Sequence, residues 1–225
     1  MADKTLFITG ASTGIGAETA RQAVAAGWTV GLFARSEEKL AALASELGDK
    51  ALSLPGDATD RASQVAALEK LAGHFGSVDA AFANAGRGVD ASGTETGDPD
   101  EWDGLIDLNI KGVLYTAHAA LPHLRKGRGH FVVTGSQAGR TNIKGSIYGA
   151  TKWFVHGFAG NLALEMAEWG GRCTVIAPGM VDTPFFDDPG EGRLQPEDVA
   201  GAVMMALNAP ARSNVREVFL TPLST

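Results

Sequence analysis

Tyr148 and Lys152 stand four residues apart in Tyr148-Gly149-Ala150-Thr151-Lys152, at the head of a run rich in helix formers that continues to about Trp169. On a helix, that spacing puts both side chains on one face, with the ammonium near the phenol. The chemistry on offer is proton transfer. A free phenol titrates near ~10, so exchanging its proton near neutrality requires about 4 kcal/mol of phenolate stabilisation, at roughly 1.4 kcal/mol per unit. Two exposed charges ~4 Å apart in water interact by only about 1 kcal/mol, whereas a partly desolvated pair supplies about 4. Such a pair therefore works only inside a cleft. Ser136, twelve residues before Tyr148, lies in Gly135-Ser136-Gln137-Ala138-Gly139, where a lone serine is most often a hydrogen-bonding turn residue.

A second stretch with chemical content lies near the beginning. The apolar run Thr5-Leu6-Phe7-Ile8 stops at Thr9-Gly10-Ala11-Ser12-Thr13-Gly14-Ile15-Gly16, and a helical pattern follows from Ala17 to about Ala26. Strand, glycine-rich turn and helix suit a pyrophosphate: glycines let the backbone come close, and the unpaired N–H groups of the helix start face the negative charge. The spacing is G-x-x-x-G-x-G, a variant of the dinucleotide fingerprint G-x-G-x-x-G, and no G-K-[ST] follows to make a Walker motif. Gly27 ends the helix, and Trp28 to Phe33 reads as a strand closing a βαβ unit. That strand ends in Ala34-Arg35-Ser36. A ribose 2′-hydroxyl is read by an acidic side chain near this point, and a 2′-phosphate needs a cation. Arg35, with no carboxylate beside it, favours NADP(H) over NAD(H).

The elements that must position these groups follow in order. A helix over 37–47 leads to a strand at 51–54, then to Gly56-Asp57-Ala58-Thr59-Asp60 and a helix reaching about His74. Thr59 or Asp60 can cap that helix, while Asp57, at the edge of the strand, is better placed to accept from an adenine amino group. A strand over 78–83 ends in Asn84-Ala85-Gly86, small enough for backbone to pass a bound cofactor. Asp98-Pro99-Asp100-Glu101 starts a helix that should run past Asn109 toward Leu124. An amide in mid-helix faces solvent or bonds the preceding turn, and solvent is the commoner case. His118 and His123 lack paired ligand neighbours and read as satisfied or surface histidines. A strand over 129–134 precedes Ser136. The long helix carrying Tyr148 is apolar on most sides, which predicts burial in the core or against a second subunit. A strand over 172–177 reaches Pro178-Gly179-Met180-Val181-Asp182-Thr183-Pro184, and the loop 179–196 carries an apolar tip, Phe185-Phe186. A helix from Pro196 to Asn208 and a short strand over 216–220 complete the chain.

The 225 residues, 44% apolar, suit one domain over 1–225 with a sizeable core. The net charge of −7 argues against a general nucleic-acid or anionic-membrane surface. No apolar stretch is long enough for a transmembrane helix and no signal-peptide pattern is present, so the expectation is a soluble, cytoplasmic protein. The single cysteine, Cys173, reads as a buried core thiol, which leaves no disulfide and no metal cluster. Strands and helices alternate throughout, which predicts an α/β fold: a doubly wound sheet of about seven mostly parallel strands, helices on both faces, ligand contacts at the strands' carboxyl ends.

Together, Thr9 to Gly16, Asn84-Ala85-Gly86, Asn109, Ser136, Tyr148 to Lys152 and Pro178-Gly179 closely resemble the short-chain dehydrogenase/reductase family, over nearly the whole chain and in the family's order and spacing. The resemblance implies a Rossmann-like single domain and a nicotinamide cofactor. It implies that Tyr148 is the general acid in carbonyl reduction and the general base in alcohol oxidation, and that Ser136 holds the carbonyl oxygen. Lys152 would bind the nicotinamide ribose and favour the phenolate, and Asn109 would hold a water in the proton relay. For the cofactor it implies contacts from Gly10, Ser12, Thr13, Gly14, Ile15 and Gly16, from Arg35, Asp57 and Ala58, from Asn84, Ala85 and Gly86, and from Pro178, Gly179, Val181 and Thr183. Arg35 matches the position where NADP-preferring members carry a basic residue, although Thr13 stands where some of them add a second one. The ending from Asn214 to Pro222 is similar to compact members that include NADP-dependent 3-hydroxy acid and serine dehydrogenases. The expectation is an NADP(H)-dependent oxidoreductase of a small carbonyl or secondary alcohol, assembled as a homodimer or homotetramer. Arg87, Arg140 and Lys144 fall in segments near the pocket mouth and could attract an anionic substrate. The alternative from another class is a catalytically silent dinucleotide sensor of the same fold, a drift that often loses the tyrosine or lysine, both present here.

Overall fold

The computed structural model describes residues 4–89, 93–185 and 191–223. Seven strands form one sheet: β1 (Thr5–Thr9), β2 (Thr29–Ala34), β3 (Ala51–Pro55), β4 (Ala80–Ala83), β5 (His130–Thr134), β6 (Arg172–Pro178) and β7 (Glu217–Leu220), in the order β3-β2-β1-β4-β5-β6-β7. All six pairings are parallel. The central strands read as continuous apolar runs because both of their faces are covered. In β1, Phe7 points to one side, packing with Phe33, Leu68 and Leu71, while Leu6 and Ile8 point to the other, with Ala20, Leu40 and Val203. This alternation divides the core into two layers separated by the sheet.

The helices are α1 (Gly14–Ala25), α2 (Glu37–Leu47), α3 (Arg61–Phe75), α4 (Pro99–Ile106), α5 (Val113–Gly127), α6 (Ile147–Ala167) and α7 (Pro196–Asn208). Helices α3, α5 and α6 cover the Phe7 side, and α1, α2 and α7 cover the other. Their starts are written locally. Asp60 caps α3 by accepting from Ala62 N at 2.9 Å, and Asp98 caps α4 by accepting from Asp100 N, with proline at the first helical position. Cys173 is buried on β6, and burial pushes its thiol up to about 12, so it is a packing residue. Among the described residues, no helix is long and apolar enough to cross a membrane.

Two departures from the expected elements bear on the site. Helix α1 begins at Gly14, three residues before Ala17, which brings its N-terminus into the glycine turn itself. The helix expected to run unbroken from 98 to 124 is interrupted by a π-turn over Asp107–Gly112. Because strand order reverses on either side of β1, a crevice opens outside the carboxyl ends of β1 and β4.

Candidate active site

The glycine turn is built for close packing. Gly10 has φ +67°, and a Cβ there would lie 2.9 Å from Ala85 Cα. A Cβ on Gly16 would lie 2.2 Å from the Gly10 carbonyl oxygen, so α1 can start against the end of β1 only with glycine at 16. Neighbouring strand ends are tied to this turn. Thr9 Oγ1 accepts from Asn84 N and Ala85 N, both at 3.1 Å, and Asn84 Nδ2 donates to the carbonyls of Thr9 and Gly10. Thr134 Oγ1 donates to Asn84 Oδ1 at 3.1 Å, so this one amide joins the ends of β1, β4 and β5.

At one end of the crevice, Arg35 stands exposed just past β2 and, among the described residues, carries no ion pair. Asp57 Oδ1 accepts from both the backbone N–H and the hydroxyl of Thr59 at 2.8 Å, which fixes the carboxylate beside Ala58.

At the other end lie Ser136, Tyr148 and Lys152, the groups expected to do chemistry. Ser146 caps α6 by accepting from Gly149 N at 2.9 Å, setting the first turn from which Tyr148 and Lys152 project. Lys152 is only 5% exposed. Its Nζ donates to the Thr134 carbonyl at 2.8 Å and lies 5.7 Å from the Tyr148 ring centroid. Burial pushes the Lys152 pKa down to about 8. Burial likewise pushes the Tyr148 phenol up, and the Ser136 hydroxyl beside it pulls the other way. Ser136 sits in extended backbone (φ −172°, ψ 156°) and its Oγ accepts from Ala138 N at 3.1 Å. The Phe185 ring lies 5.6 Å from the Tyr148 ring, and a Cβ on Gly88 would touch its far edge at 3.2 Å. Residues 186–190 of the expected substrate loop, with Phe186, lie outside the described residues. The loop is closed at its base by a Val181–Leu194 bridge and by Asp182 N donating to Leu194 O at 2.7 Å.

Asn109 does not face solvent. It is 1% exposed: its Oδ1 accepts from Arg87 N and its Nδ2 donates to Arg87 O, both at 2.9 Å, with Thr151 Oγ1 at 3.2 Å. Asn109 lies within the π-turn, four residues after the fully buried Leu105 and therefore on the same core-facing side of the helix. The amide thus clamps the loop after Gly86 to the start of α6.

These groups surround one cleft of about 1310 Å³. Ser136, Tyr148 and Lys152 line it, as do all the residues expected to contact a cofactor except Gly16, which packs the turn from behind. Asn109 also lies behind the wall. Of the three cations expected near the mouth, only Arg87 lines the cleft; Arg140 is turned away to Glu217, with Nη1–Oε1 at 2.9 Å. Sequence reasoning passed over Thr134, whose carbonyl holds Lys152 and whose hydroxyl holds Asn84. Its only signal was a hydroxyl at the carboxyl end of a central strand.

The family model described as short chain dehydrogenase matches residues 4–193. An uncharacterized oxidoreductase of Staphylococcus aureus (strain USA300) is 39% identical over 230 residues, covering 99% of each chain. Among solved structures, 3-ketoacyl-(acyl-carrier-protein) reductase from Brucella melitensis complexed with NADH superimposes with a TM-score of 0.91 at 26% identity, covering 98% of each chain. The closed form of serine dehydrogenase complexed with NADP+ also gives 0.91, at 29% identity, covering 98% of this chain and 96% of that one.

Proposed function

Because this chain belongs to the short chain dehydrogenase family and is thus an oxidoreductase, we propose that it is an NADP(H)-dependent enzyme interconverting a carbonyl and a secondary alcohol in a small polar molecule. The observation that carries the reading is the convergence of Ser136, Tyr148 and Lys152 on the cleft whose other end holds the glycine turn and Arg35. The residues present fit a dinucleotide. The cleft exceeds the roughly 300–1,000 Å³ of an ordinary ligand pocket, and the first turn of α1 offers unpaired N–H groups to a pyrophosphate. Similar proteins hold NADH in one case and NADP+ in another, so the choice is argued from this chain. Arg35 supports the phosphorylated form, because its guanidinium is free to answer a 2′-phosphate.

When bound, the nicotinamide supplies or accepts the hydride. The chain's residues handle the oxygen and its proton. Ser136 Oγ holds the carbonyl oxygen, and the Tyr148 hydroxyl gives it a proton as the carbon becomes tetrahedral; in the oxidative direction Tyr148 takes that proton back. Lys152, held at Thr134, keeps a positive charge beside the phenol and favours phenolate. Asn109 supports this set from behind. Arg87 at the cleft wall, with Nη2 3.9 Å from Glu101 Oε1 and Nε donating to Gly88 O, keeps donors for a substrate carrying a carboxylate, such as a 3-hydroxy acid. The exposed apolar side of α6 supports assembly as a homo-oligomer.

NADPH and NADH oxidation over a panel of ketones, aldehydes and keto acids, each acid paired with its neutral ester, tests the reading. Tyr148→Phe should lower kcat by roughly 100-fold or more, and Arg35→Leu should raise KM for NADPH about tenfold while sparing NADH. Wild-type turnover by Tyr148→Phe would remove the proposed acid.

A further inference from the structure

Behind the cleft wall, a half-buried imidazole rests against the backbone of Ser136. His156 follows Lys152 by one turn of α6 and does not line the cleft. Its Nε2 accepts from the Ser136 backbone N–H at 3.4 Å, and its Nδ1 lies 3.5 Å from Glu217 Oε1. These neighbours assign the tautomer. A donor in front of Nε2 requires that nitrogen to be bare, which leaves the proton on Nδ1, facing the carboxylate. Glu217 is itself held by Arg140, whose guanidinium lies 4.6 Å over the Phe219 ring. The two glycines on either side of Ser136 make room for the imidazole: a Cβ at Gly135 would stand 2.5 Å from Nε2, and one at Gly139 2.8 Å from Cδ2.

We propose that His156 is a positioning residue for Ser136 that works only while its ring is neutral, making carbonyl holding sensitive to acid. The proposal rests on the reading of Ser136 as the group that holds the carbonyl oxygen. In the neutral state the ring fixes the extended backbone from which Oγ reaches toward Tyr148. On protonation both ring nitrogens become donors, Nε2–H meets Ser136 N–H head on, and the serine loses its anchor. Among the described residues, the charged groups facing the ring are Glu217 from β7, Arg140 from the turn after β5 and Lys152 from α6 itself. Glu217 and the Ser136 backbone favour the imidazolium; burial, the largest influence, opposes them together with the two cations and holds the pKa below the ordinary histidine value. The neutral, anchoring form therefore prevails at neutral pH and is lost on the acid side.

Two readouts test this, and the first needs no turnover. In nitrogen-labelled protein, the histidine signal that disappears in His156→Gln should show the Nδ1–H tautomer. Its titration midpoint should be matched by the Ser136 amide resonance, and Glu217→Gln should move both midpoints to lower pH. An Nε2–H tautomer, or a Ser136 amide that ignores the titration, overturns the proposal even if the chain reduces no carbonyl in the panel. The second readout is NADPH-dependent reduction of whichever panel compound is turned over fastest. Wild-type kcat should fall about tenfold on the acid side with the same midpoint. His156→Gln, whose amide oxygen can accept but does not titrate, should restore most of the neutral rate and abolish the fall. His156→Ala should be slow at every pH with KM for NADPH unchanged. Equal kcat for His156→Ala and wild type across the range overturns the proposal.

Discussion

A lysine with 5% exposure and, among the described residues, one backbone carbonyl as its hydrogen-bond partner lowers the stability of the fold. Its pKa in the folded chain, about 8, lies below the model-peptide value of ~10.4. Between those two values the unfolded chain binds the proton more strongly, so Lys152 makes stability rise with pH across that window. Below about 8 the folded chain carries the whole burden of a buried ammonium, at most roughly 3 kcal/mol at about 1.4 kcal/mol per unit. Lys152→Met fills the same space without the charge but leaves the Thr134 carbonyl unpaired. The expected net gain at neutral pH is about 1 kcal/mol, shrinking as pH rises toward ~10.4, with loss of oxidoreductase activity. Urea denaturation at neutral and alkaline pH measures it, and a variant less stable than wild type at pH 7 would contradict the account.

At the scale of elements, the π-turn is the least expected feature and the one most heavily supported. Widening one helical turn leaves carbonyls at its end without their ordinary partners. Gly112 O is met by two side chains: Gln64 Nε2 at 3.1 Å and Thr116 Oγ1 at 2.8 Å. Gln64, fully buried on α3, also donates to Ala58 O at 2.7 Å, while Thr116 Oγ1 lies 2.7 Å from its Oε1. One amide therefore links the loop holding Asp57 and Ala58 to the turn that contains Asn109. Gln64→Leu keeps the volume and orphans these groups, so we expect a loss of about 2–3 kcal/mol, with roughly 1–3 for each buried group left unpaired. The midpoint of urea unfolding should fall with unchanged slope. A change below about 0.5 kcal/mol, the range of neutral surface substitutions, would mean the clamp is not needed.

For the molecule as a whole, strand and helix order could be read along the chain because both-sided burial writes continuous apolar runs into β1, β4, β5 and β6, and because Gly27, Asp60 and Pro99 punctuate them. The cleft was legible for the same reason: its walls are strand ends. What could not be read depends on partners far apart in sequence. Asn109 turns inward because Arg87 and Thr151, 22 and 42 residues away, receive it; Arg140 leaves the mouth because Glu217 holds it across 77 residues. The long helix was expected to be apolar on most sides and buried in the core or against a second subunit, and in this chain α6 leaves Trp153 48% and Leu164 66% exposed. Between them lie Gly157 and Gly160, where a Cβ would meet no described atom within 4 Å. A mid-helix glycine costs about 1 kcal/mol against alanine, and no packing contact among the described residues requires either one. Both fit a second copy whose helix approaches closely along α6, with the two exposed apolar side chains covered. Gly157→Arg has open space in the protomer and should leave its fold intact, while its bulk and charge would sit in the middle of that contact. Sedimentation velocity at micromolar concentration should show wild type at twice the protomer mass or more and the variant as a folded monomer; a monomeric wild type, or a variant that assembles as wild type does, would remove this face from the assembly.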